Sequence, residues 1–133
     1  MKPFTYDSLE KIENHYQESS FLLVLWSVDC PPCIKEFSLL QQLKREFPQF
    51  QLALINTDGL SEKALAEKTL LEFSLDKSDN WIFSETNIEK LRYRIDSRWA
   101  GELPRSYFYQ KYVPRSVVSG LLSKKTLKAW LQN

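Results

Sequence analysis

Phe21-Leu22-Leu23-Val24-Leu25-Trp26 leads through Ser27-Val28-Asp29 into Cys30-Pro31-Pro32-Cys33-Ile34-Lys35-Glu36, and the reading of this passage decides the fold. Six consecutive apolar residues are too few for an ordinary helix and show no polar alternation, so they predict a strand covered on both faces. Pro31 and Pro32 suit the first turn of a helix, where the missing N–H groups have no intrahelical partner in any case. Ile34, Phe37, Leu40 and Phe47 then fall on or near one face. A buried strand therefore runs into a helix, with both cysteines at the junction.

The same alternation recurs on either side. Leu9, Ile12 and Tyr16 have helical spacing over Tyr6 to Tyr16, with Asp7 or Ser8 able to cap the first turn. Leu52-Ala53-Leu54-Ile55-Asn56 reads as a second buried strand, and Ser61 as the opening of a helix that carries Leu65, Leu70, Leu71 and Phe73. Trp81-Ile82-Phe83 is a short apolar piece, followed by a helix through Ile88, Leu91 and Tyr93. Gly101-Glu102-Leu103-Pro104 breaks the chain. Ser106 to Tyr109 and Ser116 to Ser119 then predict an antiparallel hairpin joined through Val113-Pro114. Leu127, Trp130 and Leu131 close with an amphipathic helix whose Lys124, Lys125 and Lys128 form its solvated side. Strands alternating with helices define an α/β layer fold, and 133 residues suit one domain spanning 1–133.

Eighteen basic residues against seventeen acidic leave a net charge of +1, so no global field draws the chain to nucleic acid or an anionic membrane. The N-terminus lacks the charged head and apolar run of a secretory signal, and no stretch approaches a membrane span. As the chain stands, the expected compartment is the bacterial cytoplasm; removal of an N-terminal signal would make it periplasmic or membrane-anchored.

Two cysteines three residues apart cannot form a disulfide scaffold, so their spacing points to chemistry. The thiolate is the reactive form of cysteine, and a helix N-terminus favours it with partial positive charge and N–H donors. Cys30 stands at that terminus and Cys33 one turn further in, where it can resolve a mixed disulfide on Cys30. Val24-Leu25-Trp26-Ser27-Val28-Asp29-Cys30-Pro31-Pro32-Cys33-Ile34-Lys35-Glu36 resembles the thioredoxin superfamily, most closely its TlpA/ResA branch of thiol-disulfide oxidoreductases. The order of elements and Leu103-Pro104 before the late hairpin extend the resemblance over nearly the whole chain.

The resemblance implies a three-layer α/β/α sandwich with a central mixed sheet. It implies exchange of disulfides with partner proteins through Cys30 and Cys33, a cis bond before Pro104, and substrate-peptide contact by Leu103 and Pro104. It also places Trp26 beneath the active-site turn and among the substrate-binding residues. No cofactor or metal is implied; the partners are protein or peptide thiols and disulfides and a redox partner that recycles the pair, met by a monomer.

Departures from the family pattern refine this. Val24 occupies a position where relatives carry a proton-transferring carboxylate or amide, which leaves Glu36, on the face of Cys33, as the candidate proton carrier; the plainer reading is a surface glutamate. Asp29 opposes a thiolate on Cys30, and the two prolines remove helix-terminal donors, which together favour a reductant. Ser38 replaces a kinking proline, so the helix is expected to run straight. Two alternatives stay open: a thioredoxin-fold peptide-binding module with a structural disulfide, and a metal site, to which only His15 could add a soft ligand. Trp81, Trp99 and Trp130 read as core or half-buried anchors, with Trp99 and Ala100 placed beside the Leu103 loop.

Overall fold

The computed structural model describes residues 1–17 and 19–132. Strand β1 (Lys2–Phe4) precedes helix α1 (Ser8–His15); β2 (Phe21–Trp26) runs into α2 (Pro31–Glu46) and returns through β3 (Leu52–Asn56). Helix α3 (Lys63–Glu72), β4 (Asp79–Phe83) and α4 (Ile88–Ile95) follow, then the hairpin β5 (Arg105–Gln110) and β6 (Val113–Ser119), and α5 (Lys124–Leu131). The six strands form one sheet in the order β1-β4-β3-β2-β5-β6. The first four are parallel and the hairpin is antiparallel, which makes the sheet mixed.

Strand periodicity sorts the continuous apolar run into two layers, because successive side chains point to opposite faces. Leu22, Val24 and Trp26 join Phe37, Leu40 and Leu43 of α2, Ala66 and Leu70 of α3 and Leu127 of α5. Phe21, Leu23 and Leu25 face the other way, onto Leu9 and Ile12 of α1 and Leu91 and Ile95 of α4. Leu52 and Leu54 of β3 serve the first layer, Ala53 and Ile55 the second. The result is the expected three-layer α/β/α sandwich, with β2 and β3 at the predicted limits.

Other elements differ from the sequence reading. Lys2–Phe4 pairs in parallel with β4, a strand too short to register in a periodicity search. Helix α1 is shorter than Tyr6–Tyr16, and Asp7 at its start makes no capping bond; the Ser8 hydroxyl instead accepts the Thr5 N–H at 2.7 Å. A 3-10 turn, Leu60–Glu62, occupies the expected helix opening at Ser61. In α3 the buried stripe is Ala66 and Leu70, four apart, which turns Leu65 and Leu71 to solvent. The hairpin turns at Lys111 and Tyr112 rather than at Val113-Pro114, since Gln110 already pairs with Val113 and Tyr112 takes the left-handed conformation (φ 62°). Pro114 is instead a residue of the edge strand, where no ladder N–H is required of it.

Phe37 is fully buried, with its ring 4.8 Å from that of Trp26 and 5.8 Å from that of Phe73. Phe37→Ala should destabilise the oxidised protein by about 3–5 kcal/mol, the usual result of emptying an aromatic core site, as read from urea unfolding followed by tryptophan fluorescence.

Candidate active site

Strand β2 ends at Trp26 and three residues later the chain enters α2 with Cys30 at its N-cap. Cys30 takes an extended conformation (φ −112°, ψ 96°), and its Sγ accepts the Cys33 N–H at 3.2 Å, so a sulfur fills the place usually taken by a capping oxygen. Pro31 and Pro32 follow at the first helical positions. Cys30 and Cys33 are joined as a disulfide with Cα atoms 5.2 Å apart. Cys30 remains partly exposed while Cys33 is 1% exposed, so the two sulfurs differ in access. Helix α2 continues unbroken past Ser38 to Glu46.

Strand β5 delivers the second part of the site. Leu25 pairs with Arg105 in antiparallel register, so Pro104, the residue that leads into β5, lies next to the end of β2 that runs into α2. The Leu103–Pro104 bond is cis. Leu103 is half-buried and packs, as Cys30 does, against the cluster that holds Trp26 and Cys33. Side chains flanking this segment hold it in place. Arg105 Nη2 meets Asp96 Oδ2 at 3.0 Å, and its Nε donates to the Tyr107 hydroxyl at 3.0 Å. Tyr107 in turn donates to the same Asp96 oxygen at 2.8 Å. Burial works against charge on Asp96, but bonds from the Arg98 N–H, Tyr107 and Arg105 outweigh it and hold the carboxyl below its usual range. Trp99 is buried and donates its indole N–H to Glu102 O at 2.8 Å, so it braces the loop from within while Ala100 is exposed.

Trp26 is fully buried, its ring turned into the layer under α2. It supports the site from beneath and cannot touch a substrate from that position, which corrects its placement among the substrate-binding residues. Strand parity explains why: Trp26 shares the face of Leu22 and Val24. His15 is exposed, against the ring of Tyr16. Among the described residues no group of three or more His, Cys, Asp or Glu could hold a metal ion, and no helix is long and apolar enough to cross a membrane.

Glu36 is 1% exposed, which rules out a surface glutamate. It stands one turn after Cys33 on the buried face of α2. Its Oε2 accepts the Leu122 N–H at 2.9 Å, whereas Oε1 has no partner among the described residues. Burial pushes its carboxyl up to about 7, against the opposing pull of the Leu122 N–H and then of the Ser106 hydroxyl. That hydroxyl is itself buried and lies outside hydrogen-bond geometry with any partner among the described residues, so its pull on the carboxyl is the weaker of the two.

The sequence reading missed Ser27, Asn56, Asp58 and Arg105. Asp58 and Asn56 carried one available signal, two polar side chains where a buried strand leaves the core.

No protein-family model matches the chain, and no curated protein sequence matches it. Solved structures do. A secreted disulfide oxidoreductase of Mycobacterium tuberculosis, homologous to E. coli DsbE, superposes with a TM-score of 0.71 at 19% identity, over 90% of this chain and 84% of that one. StoA from Bacillus subtilis gives 0.62 at 18% identity, over 84% and 81%. The thioredoxin domain of a thiol-disulfide oxidoreductase from Bacteroides vulgatus gives 0.66 at 16% identity, over 89% and 83%. The chain has the thioredoxin-like α/β fold. It combines that fold with a Cys-x-x-Cys pair at bonding distance.

The raised Glu36 carboxyl has a consequence for stability. Its proton is held to higher pH in the folded than in the unfolded chain, so its contribution is complete below about 4.5 and is lost as the pH rises through about 7. At about 1.4 kcal/mol per pH unit this loss is roughly 3 kcal/mol. Urea unfolding of the wild type should show stability falling between about pH 5 and 8, and Glu36→Gln should flatten that slope. Parallel profiles for the two proteins would remove the basis for a buried, protonated carboxyl.

Proposed function

We propose that the protein is a thiol-disulfide oxidoreductase that reduces disulfides in partner proteins or peptides. The observation that carries this reading is the asymmetric pair: a partly exposed Cys30 at a helix N-cap, bonded to a buried Cys33 one turn inside. In the reduced form the Cys30 thiolate attacks a substrate disulfide, forms a mixed disulfide and releases one substrate thiolate. Cys33 then gives up its proton and attacks Cys30 Sγ, which closes the Cys30–Cys33 bond and releases the second substrate thiolate. A donor dithiol protein returns the pair to the reduced state.

Glu36 is the proposed acceptor of the Cys33 proton. Its carboxyl is buried on the same helix face, has one free oxygen and titrates at about 7, close to the pH at which it would work. Leu103 and Pro104, in the loop that leads into β5, are the proposed contacts for an extended substrate chain, with the half-buried Leu103 offering the accessible surface and the buried Pro104 shaping the loop beside it. The reducing direction follows from the scarcity of donors around Cys30. Pro31 and Pro32 carry no N–H, and Asp29 adds an exposed negative charge next to the sulfur. A thiolate stabilised so sparingly gives up electrons readily.

Insulin reduction with dithiothreitol tests the assignment. Wild type should accelerate precipitation of the B chain, Cys30→Ser should not exceed background, and Cys33→Ser should accumulate a mixed disulfide visible on a non-reducing gel. Redox titration against dithiothreitol should give a potential near that of thioredoxin, about −270 mV. A value below about −300 mV would instead assign the bond to structure, and one near −120 mV to an oxidant.

A further inference from the structure

Asp58 lies two residues beyond β3 and is bonded to the chain that enters α2. Its Oδ1 accepts the Ser27 hydroxyl at 2.5 Å, and its Oδ2 accepts the Val28 N–H at 2.9 Å. Ser27 Oγ in turn accepts the Asp29 N–H at 3.1 Å, and Ser27 O accepts the Cys30 N–H at 3.3 Å. Three of the four amide hydrogens between β2 and the helix, those of Val28, Asp29 and Cys30, are therefore committed to Asp58 or Ser27. Asp58 is itself fixed by Asn56, a fully buried residue of β3: Asn56 Nδ2 donates to Asp58 Oδ2 at 2.9 Å, and Asn56 Oδ1 accepts the Asp58 N–H at 2.9 Å.

We propose that Asp58 is a positioning residue that clamps the Ser27 to Cys30 turn so that Cys30 Sγ stays against the Cys33 N–H. With Pro31 and Pro32 in the first helical turn, that N–H is the one hydrogen bond the sulfur accepts among the described residues. It forms only while Cys30 keeps its extended N-cap conformation, and the entering turn sets that conformation. The turn has no ladder of its own, so its shape depends on the acceptors supplied by Asp58 and Ser27. The side chain thus acts on the sulfur through the backbone and touches no substrate. This inference rests on Cys30 being the attacking sulfur.

Charge and geometry predict opposite results, which makes the proposal testable. A carboxylate near the turn opposes a neighbouring thiolate, so removal of its charge alone would speed reaction of Cys30. Loss of the clamp takes away the Cys33 N–H and slows it.

The test is iodoacetamide alkylation of the fully reduced protein across pH, with the labelled cysteine assigned by mass spectrometry. Asp58→Ala should slow labelling of Cys30 about three- to tenfold at pH 7, as expected for loss of one hydrogen bond to a thiolate, and should move the midpoint of its pH profile upward. Asp58→Asn keeps an acceptor for the Val28 N–H and should recover most of the rate. Ser27→Ala breaks the same clamp without altering charge and should also slow labelling, a readout that stands if Asp58→Ala does not fold. Leu40→Ala, buried in the same core layer, should lower thermal stability with no change in the profile. Wild-type or faster labelling in Asp58→Ala, or in Ser27→Ala, overturns the proposal. Labelling of Cys33 before Cys30 in the wild type overturns the Cys30 reading and the proposal with it, whereas Cys30 labelling with unchanged profiles overturns the proposal alone.

Discussion

Every side chain of β2, from Phe21 to Trp26, lies in one or the other apolar layer, and both edges of the strand are hydrogen-bonded, to β3 and to β5. A strand committed on all four sides has no freedom of register, because a slip of one residue would exchange the two faces. Its C-terminal end is therefore a fixed point in the molecule. Cys30 is four residues beyond that point, and Pro104, Asn56 and Asp58 reach it along the two neighbouring strands. The reactive turn is irregular backbone anchored on three sides by the most regular part of the sheet.

Burial also governs the carboxyl one turn after Cys33 on the same helix. Relatives in the resemblance place a polar group at the position of Val24, on the sheet. Here the sheet side is apolar and the ionisable group comes from the helix, as Glu36, with the N–H of Leu122, in the segment that precedes α5, donating to its carboxyl. A carboxyl in an apolar layer keeps its proton until the cost of charging it is offset, which brings its titration near neutrality. Among the described residues Glu36 Oε1 and the Ser106 hydroxyl are left without a hydrogen-bond partner in the same buried layer.

The parts of this arrangement that were legible in the sequence are those set by local pattern. The apolar runs of β2 and β3 gave their limits to the residue, and Pro31-Pro32 located the helix start. The spacing of Cys30 and Cys33 was legible from residue type alone, whereas the cis bond before Pro104 was implied only by the resemblance. Burial of Trp26 beneath the turn was legible from the continuous apolar run, and its 0% exposure is at odds only with its further placement among the substrate-binding residues. The contact of Glu36 with Leu122 spans 86 positions and that of Ser27 with Asp58 spans 31; no local rule pairs such residues. The turn at Lys111 and Tyr112 was misplaced because Val113-Pro114 carries the stronger breaker signal, while the left-handed backbone that reverses the chain falls on a tyrosine, a residue that rarely announces it.

Strand β6 has a further meaning for the life of the protein at high concentration. It is a seven-residue border of the sheet, largely open to solvent, the kind of rim onto which another chain can add and begin to aggregate. Pro114 removes a donor from that rim, and the register irregularity between Phe108 and Gln110 disturbs the pleat beside it. A proline within an exposed edge strand is one of the ways such a border is made a poorer template for a further strand.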